Sequence, residues 1–239
     1  MPKTPSRMMN NSRLRNALFA SVVALLILSV VLAIVHPPKP VRAMQPGLNM
    51  PVVGLELAWT TQEIWDILGD PQSDAGQKSR AAFFLGTWLD FGYITVYSLA
   101  YLFLNLLLIH RHGAAKGWIY LSIILVAVTA VGDVIENMAI FNIIEAGTES
   151  LAEQHLPQLI VFTRVKWLFL GLAGLPASVL LRREGRRGLS FVLTAAFAFA
   201  ALGVLKQYSI EIMTLFTAFF WAYILIKLLP LKNRWWAEN

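Results

Sequence analysis

At 239 residues, with 57% hydrophobic and only 14% charged residues and a mean hydropathy of +0.60, the chain carries more apolar surface than a water-soluble fold can hide. The absence of cysteine excludes disulfides, thiol chemistry and thiolate-bound zinc. A net charge of +6 does not indicate nucleic acid here, because the basic residues sit beside apolar runs instead of along one polar face.

These properties point to an all-α integral membrane protein, a single bundle of about six transmembrane helices. Each helix needs roughly 20 apolar residues to cross about 30 Å of hydrocarbon. A basic N-terminus, 1–16, precedes a first span at 17–35 that ends at His36-Pro37-Pro38. Its apolar core exceeds the roughly 7–15 residues of a signal peptide, which favours an uncleaved anchor.

The segment 36–81 is the longest connection. Within it Thr60-Thr61-Gln62-Glu63 reads as a capping box opening a short helix near 61–68, closed by Gly69 and Pro71. Ile64, Trp65, Ile67 and Leu68 alternate there with Glu63, Asp66 and Asp70, the pattern of a helix lying flat at the outer membrane surface.

Five further spans are predicted within 82–229, at 82–109, 117–144, 157–181, 190–205 and 210–229, followed by a cytoplasmic C-terminus, 230–239. Trp59, Trp65, Trp118, Trp221, Trp235 and Trp236 fall near predicted interfaces, where indoles anchor helices. Small residues at helical spacing, Gly171 with Gly174 and Ala196 with Ala200, permit close helix approach.

Orientation follows from Lys and Arg. With both termini in the cytoplasm of an inner-membrane protein, Lys3, Arg7, Arg13, Arg15, Arg111, Lys116, Arg182, Arg183, Arg186, Arg187, Lys227, Lys232 and Arg234 lie inside. Lys39, Arg42, Lys78, Arg80 and Lys206 lie outside, where most loop acids also fall.

Ionisable residues within the spans are the candidates for function, since one at the bilayer centre costs about 2.5–3.5 kcal/mol or more. The second span carries Asp90 with Tyr93, Tyr97 and Tyr101 near one face. In the third, Asp133, Glu136 and Asn137 share a face. In the fourth, Arg164 and Lys166 are turned apart around the helix, so only one can point into an acidic site; Lys166 is preferred, with Thr163 beside it. Similar depths below the outer ends of these spans place the groups in one polar chamber, and Glu56 stands at its mouth. One of the three intramembrane acids, Glu136 for instance, is expected to be neutral.

The catalytic candidates are therefore Asp90, Asp133, Glu136 and Lys166, and the ligand-binding candidates Tyr93, Tyr97, Asn137, Thr163, Arg164 and Glu56. The first reading is a membrane-embedded enzyme acting on a lipid or amphipathic small molecule by acid/base chemistry. The second is a small-molecule, proton or cation binding or transport protein; the lack of visible repeats weighs against a transporter. The third is a structural or accessory subunit whose ion-pair network only fixes packing. No nucleophile elbow, zinc motif or His-centred dyad is present, no metal or cofactor is expected, and six spans with the lysine in the fourth do not match a retinal protein. Membrane lipids and a lipid-like or small-molecule ligand are the expected partners; no protein partner is indicated.

Overall fold

The computed structural model describes residues 5–203 and 207–229, and among these the chain is all-helical, with no strand. Ten helices follow one another: α1 (Pro5–Val35), α2 (Pro51–Glu56), α3 (Thr61–Leu68), α4 (Asp74–His112), α5 (Gly117–Glu145), α6 (Glu149–Glu153), α7 (Leu156–Ala173), α8 (Leu175–Arg183), α9 (Arg187–Gly203) and α10 (Tyr208–Leu228). The expected C-terminal segment 230–239 with Trp235 and Trp236, and Lys3 and Lys206 of the charge pattern, lie outside the described residues.

Among the described residues five helices are long and apolar enough to cross a membrane: Ser12–Val35, Asp74–His112, Gly117–Glu145, Leu156–Arg183 and Tyr208–Leu228. The apolar helix Arg187–Gly203 is shorter. The second expected span begins at Asp74 and not near 82, because Ser73 caps it by accepting the Gly76 N–H at 3.1 Å. The fourth breaks at Gly174-Leu175-Pro176 into α7 and α8. Asn105 of α4 donates to the Ala173 carbonyl at the end of α7 (3.1 Å), supplying a partner that the break removes from the helix ladder.

The bundle is built on close pairs: α1 along α4, α4 along α5, α5 along α7, and α9 between α7 and α10. Glycines set two of these approaches. A Cβ on Gly171 would stand 2.7 Å from the Ala200 Cβ, and one on Gly132 would stand 3.4 Å from the Lys166 backbone nitrogen. Large apolar side chains such as Ile27, Trp88, Ile124, Phe191, Phe219 and Ile226 point outward.

At one end of the bundle, here the connection end, residues 36–73 fold over the helix tips. The capping box is formed: Thr60 accepts from the Glu63 N–H (3.2 Å) while Glu63 accepts from the Thr60 N–H (3.3 Å). The apolar face of α3 is not turned outward as the amphipathic pattern suggested. Ile64, Trp65, Ile67 and Leu68 are buried with Phe83, Ile140 and Ile143, so protein instead of lipid covers that face. Trp65 and Trp221 are likewise no interfacial anchors: Trp65 lies 4.6 Å beneath the Arg80 guanidinium, and Trp221 packs edge-on to Tyr101 at 5.0 Å. Trp59 is exposed.

Arg80, assigned from sequence to the outer connection, is buried in α4 and acts as a clamp. Its Nη1 donates to the carbonyls of Ile144 (2.7 Å), Ile143 (3.3 Å) and Ala146 (3.4 Å) at the end of α5, and its Nη2 to Gly69 (3.2 Å). These are carbonyls that a helix end leaves without partners. Arg80→Met is expected to destabilise the protein by about 1–3 kcal/mol, the penalty for stranding buried acceptors. The check is the thermal unfolding midpoint in detergent; an unchanged midpoint would show that the clamp contributes nothing.

Candidate functional site

The third and fourth apolar helices of the chain supply the centre of the site. On α5 the spacing of Asp133, Glu136 and Asn137 gives one buried polar stripe, and on α7 Lys166 faces it across the narrow gap opened by Gly132. The Lys166 Nζ lies 2.8 Å from Glu136 Oε2, 3.1 Å from Glu56 Oε1 and 3.3 Å from Asp133 Oδ1. Glu56 comes from α2, so the connection end reaches down onto the same ammonium.

Two of the three carboxylates have a second partner. The free oxygen of Asp133 accepts from the Tyr97 hydroxyl at 2.8 Å, and that of Glu56 accepts from the Trp167 indole N–H at 3.1 Å. Asp90 stands one step away from Lys166: its Oδ2 accepts from the Asn137 amide at 2.8 Å. Thr163, one turn before Lys166, is fully buried and its hydroxyl oxygen has no hydrogen-bond partner; the same holds for Glu136 Oε1. Tyr93 packs edge-on to Tyr97 with ring centroids 5.7 Å apart.

Arg164 does not join this group. Its Nη1 donates to the Ile160 carbonyl at 2.5 Å and its guanidinium covers the Trp59 ring at 3.8 Å, on another face of α7. Tyr101, on the same sequence stripe as Tyr97, is also elsewhere, in the apolar core with Trp221. The two-residue step between Arg164 and Lys166 separates them by half a turn, and this decides which one meets the acids.

The position of α2 depends on α10. Glu211, buried in the first turn of α10, accepts the backbone N–H groups of Asn49 (2.6 Å) and Met50 (2.7 Å) and the Asn49 amide (2.9 Å). Gln207 donates to the Leu57 carbonyl at 2.7 Å, and Gln45 to the Gly54 carbonyl at 3.2 Å. Both ends of α2 are thus tied. Glu56 sits at the negative end of its helix, an unfavourable place for a carboxylate that Lys166 and Trp167 offset. Burial pushes the Glu56 carboxyl above its usual range, and the Lys166 charge opposes that push.

Beside the cluster lies an open cavity of about 350 Å³, bordered by the end of α1, by α2 and the residues before it, and by α4, α7 and α10. Glu56, Asp90, Tyr93 and Trp167 contribute to its wall; most of the remainder is apolar, from residues such as Leu32 and Val53. The Lys166-bound acids Asp133 and Glu136 do not line it. No family model, characterised protein or solved structure matches this chain.

Sequence reasoning passed over Trp167, Glu211, Asn49 and His36. Glu211 carried a legible signal, an acid inside a predicted span, and Trp167 stood next to the chosen lysine. Asn49 and His36 are placed by the path of an irregular segment, which no periodicity describes.

The geometry makes Lys166 and its acids one coupled unit. Lys166→Met is expected to destabilise the fold by about 3–5 kcal/mol, as removal of one partner of a buried pair does. In an Asp133→Asn background the same change is expected to do less harm, because one fewer carboxylate is stranded. Thermal unfolding of the two single variants and the double variant measures the coupling; strictly additive losses would refute it.

Proposed function

We propose that the chain is a six-span inner-membrane protein, with both termini cytoplasmic, that binds an amphipathic small molecule in a pocket on the outer side of the membrane. The outward-pointing apolar side chains support insertion, because lipid is the solvent in which such a surface needs no cover. α9 completes the sixth crossing: its 17 residues reach the lower limit for a span, about 17–25 residues, and it packs between α7 and α10. The connection end is then the outer side, and Arg111, Arg182, Arg183 and Arg187 lie at the cytoplasmic side.

The observation that carries the binding reading is the cavity between α1, α2, α4, α7 and α10, walled by two acids of the charge cluster and otherwise mainly apolar. A pocket with few polar groups on an apolar lining fixes the head of a ligand and accommodates its body. Lys166 organises the pocket instead of contacting its contents, since three carboxylates already surround the ammonium. A purely structural network accounts for the ion pairs; the adjoining cavity is what favours a ligand.

Acid/base turnover of the bound molecule is a second reading, favoured by Asp90, whose carboxylate faces the cavity without a direct lysine partner. In that case Asp90→Asn abolishes turnover while binding persists.

Two experiments test these proposals. Because the chain has no cysteine, single cysteines report topology directly. Gly147→Cys is expected to react with a membrane-impermeant maleimide in intact cells and Gly188→Cys only after permeabilisation, both sites having open space around them; the reverse pattern would invert the orientation. For the pocket, mass spectrometry of purified protein is expected to find a retained amphiphile that Ala33→Phe, which narrows the cavity at its α1 wall, expels. Equal retention by both proteins would count against the pocket as its site.

A further inference from the structure

We infer that the head group taken by this pocket is a protonated amine, held between the Glu56 and Asp90 carboxylates against the Tyr93 and Trp167 rings. The inference rests on the pocket reading above and names the ligand class.

Three independent features carry it. First, charge: three carboxyl groups, Glu56, Asp133 and Glu136, surround one ammonium, and a fourth, Asp90, stands beside them, bonded to Asn137 and without a lysine contact. The acid side is not saturated, since Glu136 is fully buried with one oxygen lacking a hydrogen-bond partner. A buried surplus of carboxyl groups is balanced by protons or by another cation. The two acids on the cavity side, Glu56 and Asp90, are those that an incoming cation can reach.

Second, the lining excludes the opposite charge. No lysine or arginine among the described residues lines the cavity. His36, the remaining basic side chain of the wall, donates its Nδ1–H to the Leu32 carbonyl (3.0 Å), and burial lowers its pKa from the usual value, disfavouring the charged form. A phosphate or carboxylate head would therefore meet acids with no counter-ion.

Third, the wall holds aromatic side chains. Tyr93 and Trp167 line the same space as the two acids, and an ammonium is attracted to such rings, most of all to indole. The volume of about 350 Å³ stands at the low end for ligand pockets, roughly 300–1,000 Å³, so it suits a small single-chain amine and not a two-tailed lipid.

The test uses three probes with the same tail: octylamine, octanol and octanoate, titrated by calorimetry into the full-length protein in detergent. Octylamine is expected to bind saturably at one site, octanol about tenfold or more weakly, and octanoate not at all. Asp90→Asn, which retains an acceptor for Asn137, and Glu56→Gln are each expected to weaken octylamine about tenfold and leave octanol unchanged. Both variants are first required to elute as the wild type does; Asp90→Asn stands alone if Glu56→Gln does not fold. Octanol binding as tightly as octylamine, or octylamine indifferent to Asp90→Asn, would overturn the amine assignment while leaving the pocket intact. Failure of all three probes, or binding unaffected by Ala33→Phe, would remove the pocket reading with it. Displacement of octylamine by phosphatidylethanolamine would overturn the assignment to a single-chain amine.

Discussion

A lysine ammonium buried between apolar helices is the constraint around which the rest of this protein is arranged. Desolvation makes an isolated charge there untenable, so Lys166 requires acids within contact distance, and these come from two separate parts of the chain, α5 and α2. Meeting them requires α7 to lie against α5, which Gly132 permits, and requires the connection end to fold inward far enough for Glu56 to arrive. The packing of α7 on α5 and the course of an irregular segment thus answer to one side chain.

The segment that delivers Glu56 cannot hold itself. α2 has six residues, too few to be stable by itself, and it carries an acid at the end where its dipole disfavours one. Glu211 secures its start, Gln207 its end, and Arg80 fixes the neighbouring tips of α3 and α5. Each of these groups serves backbone atoms that no regular ladder satisfies. The polar side chains at the connection end therefore form a hierarchy: Arg80, Glu211 and Gln207 position the backbone, the backbone positions Glu56, and Glu56 closes the ring around Lys166.

This hierarchy explains what was legible in the sequence. Asp133, Glu136, Asn137 and Lys166 lie on long regular helices, where a 3.6-residue period and depth along the helix say which side chains can meet. The separation of Lys166 from Arg164 was readable for the same reason. Periodicity also found the apolar face of α3 through Ile64, Trp65, Ile67 and Leu68, yet it names a face and not what covers it; Phe83 and Ile143 do so here. The roles of Arg80 and Glu211 escaped because their partners are carbonyls and amides at helix ends and in irregular backbone, which have no sequence signature, although Glu211 itself stood out as an acid inside a predicted span. A polar chamber at the cluster was expected; the cavity instead lies beside it, in the space left between five elements, with Glu56 and Asp90 in its wall and Asp133 and Glu136 outside it.

That the cavity borders the cluster without containing its lysine has a mechanistic consequence. A ligand entering the pocket touches Glu56 and Asp90, and each is one bond from the buried network: Glu56 through Lys166 and Trp167, Asp90 through Asn137. A cation held there competes with Lys166 for Glu56, and any change in how Glu56 is shared is felt at both ends of α2, tied as they are to α10. Charge in the pocket is in this way linked to the packing of α2 on α7 and α10. On the amine reading proposed above, a ligand that supplies positive charge would relieve the surplus of acids around Glu56 and Asp90, whereas an uncharged one would only fill space.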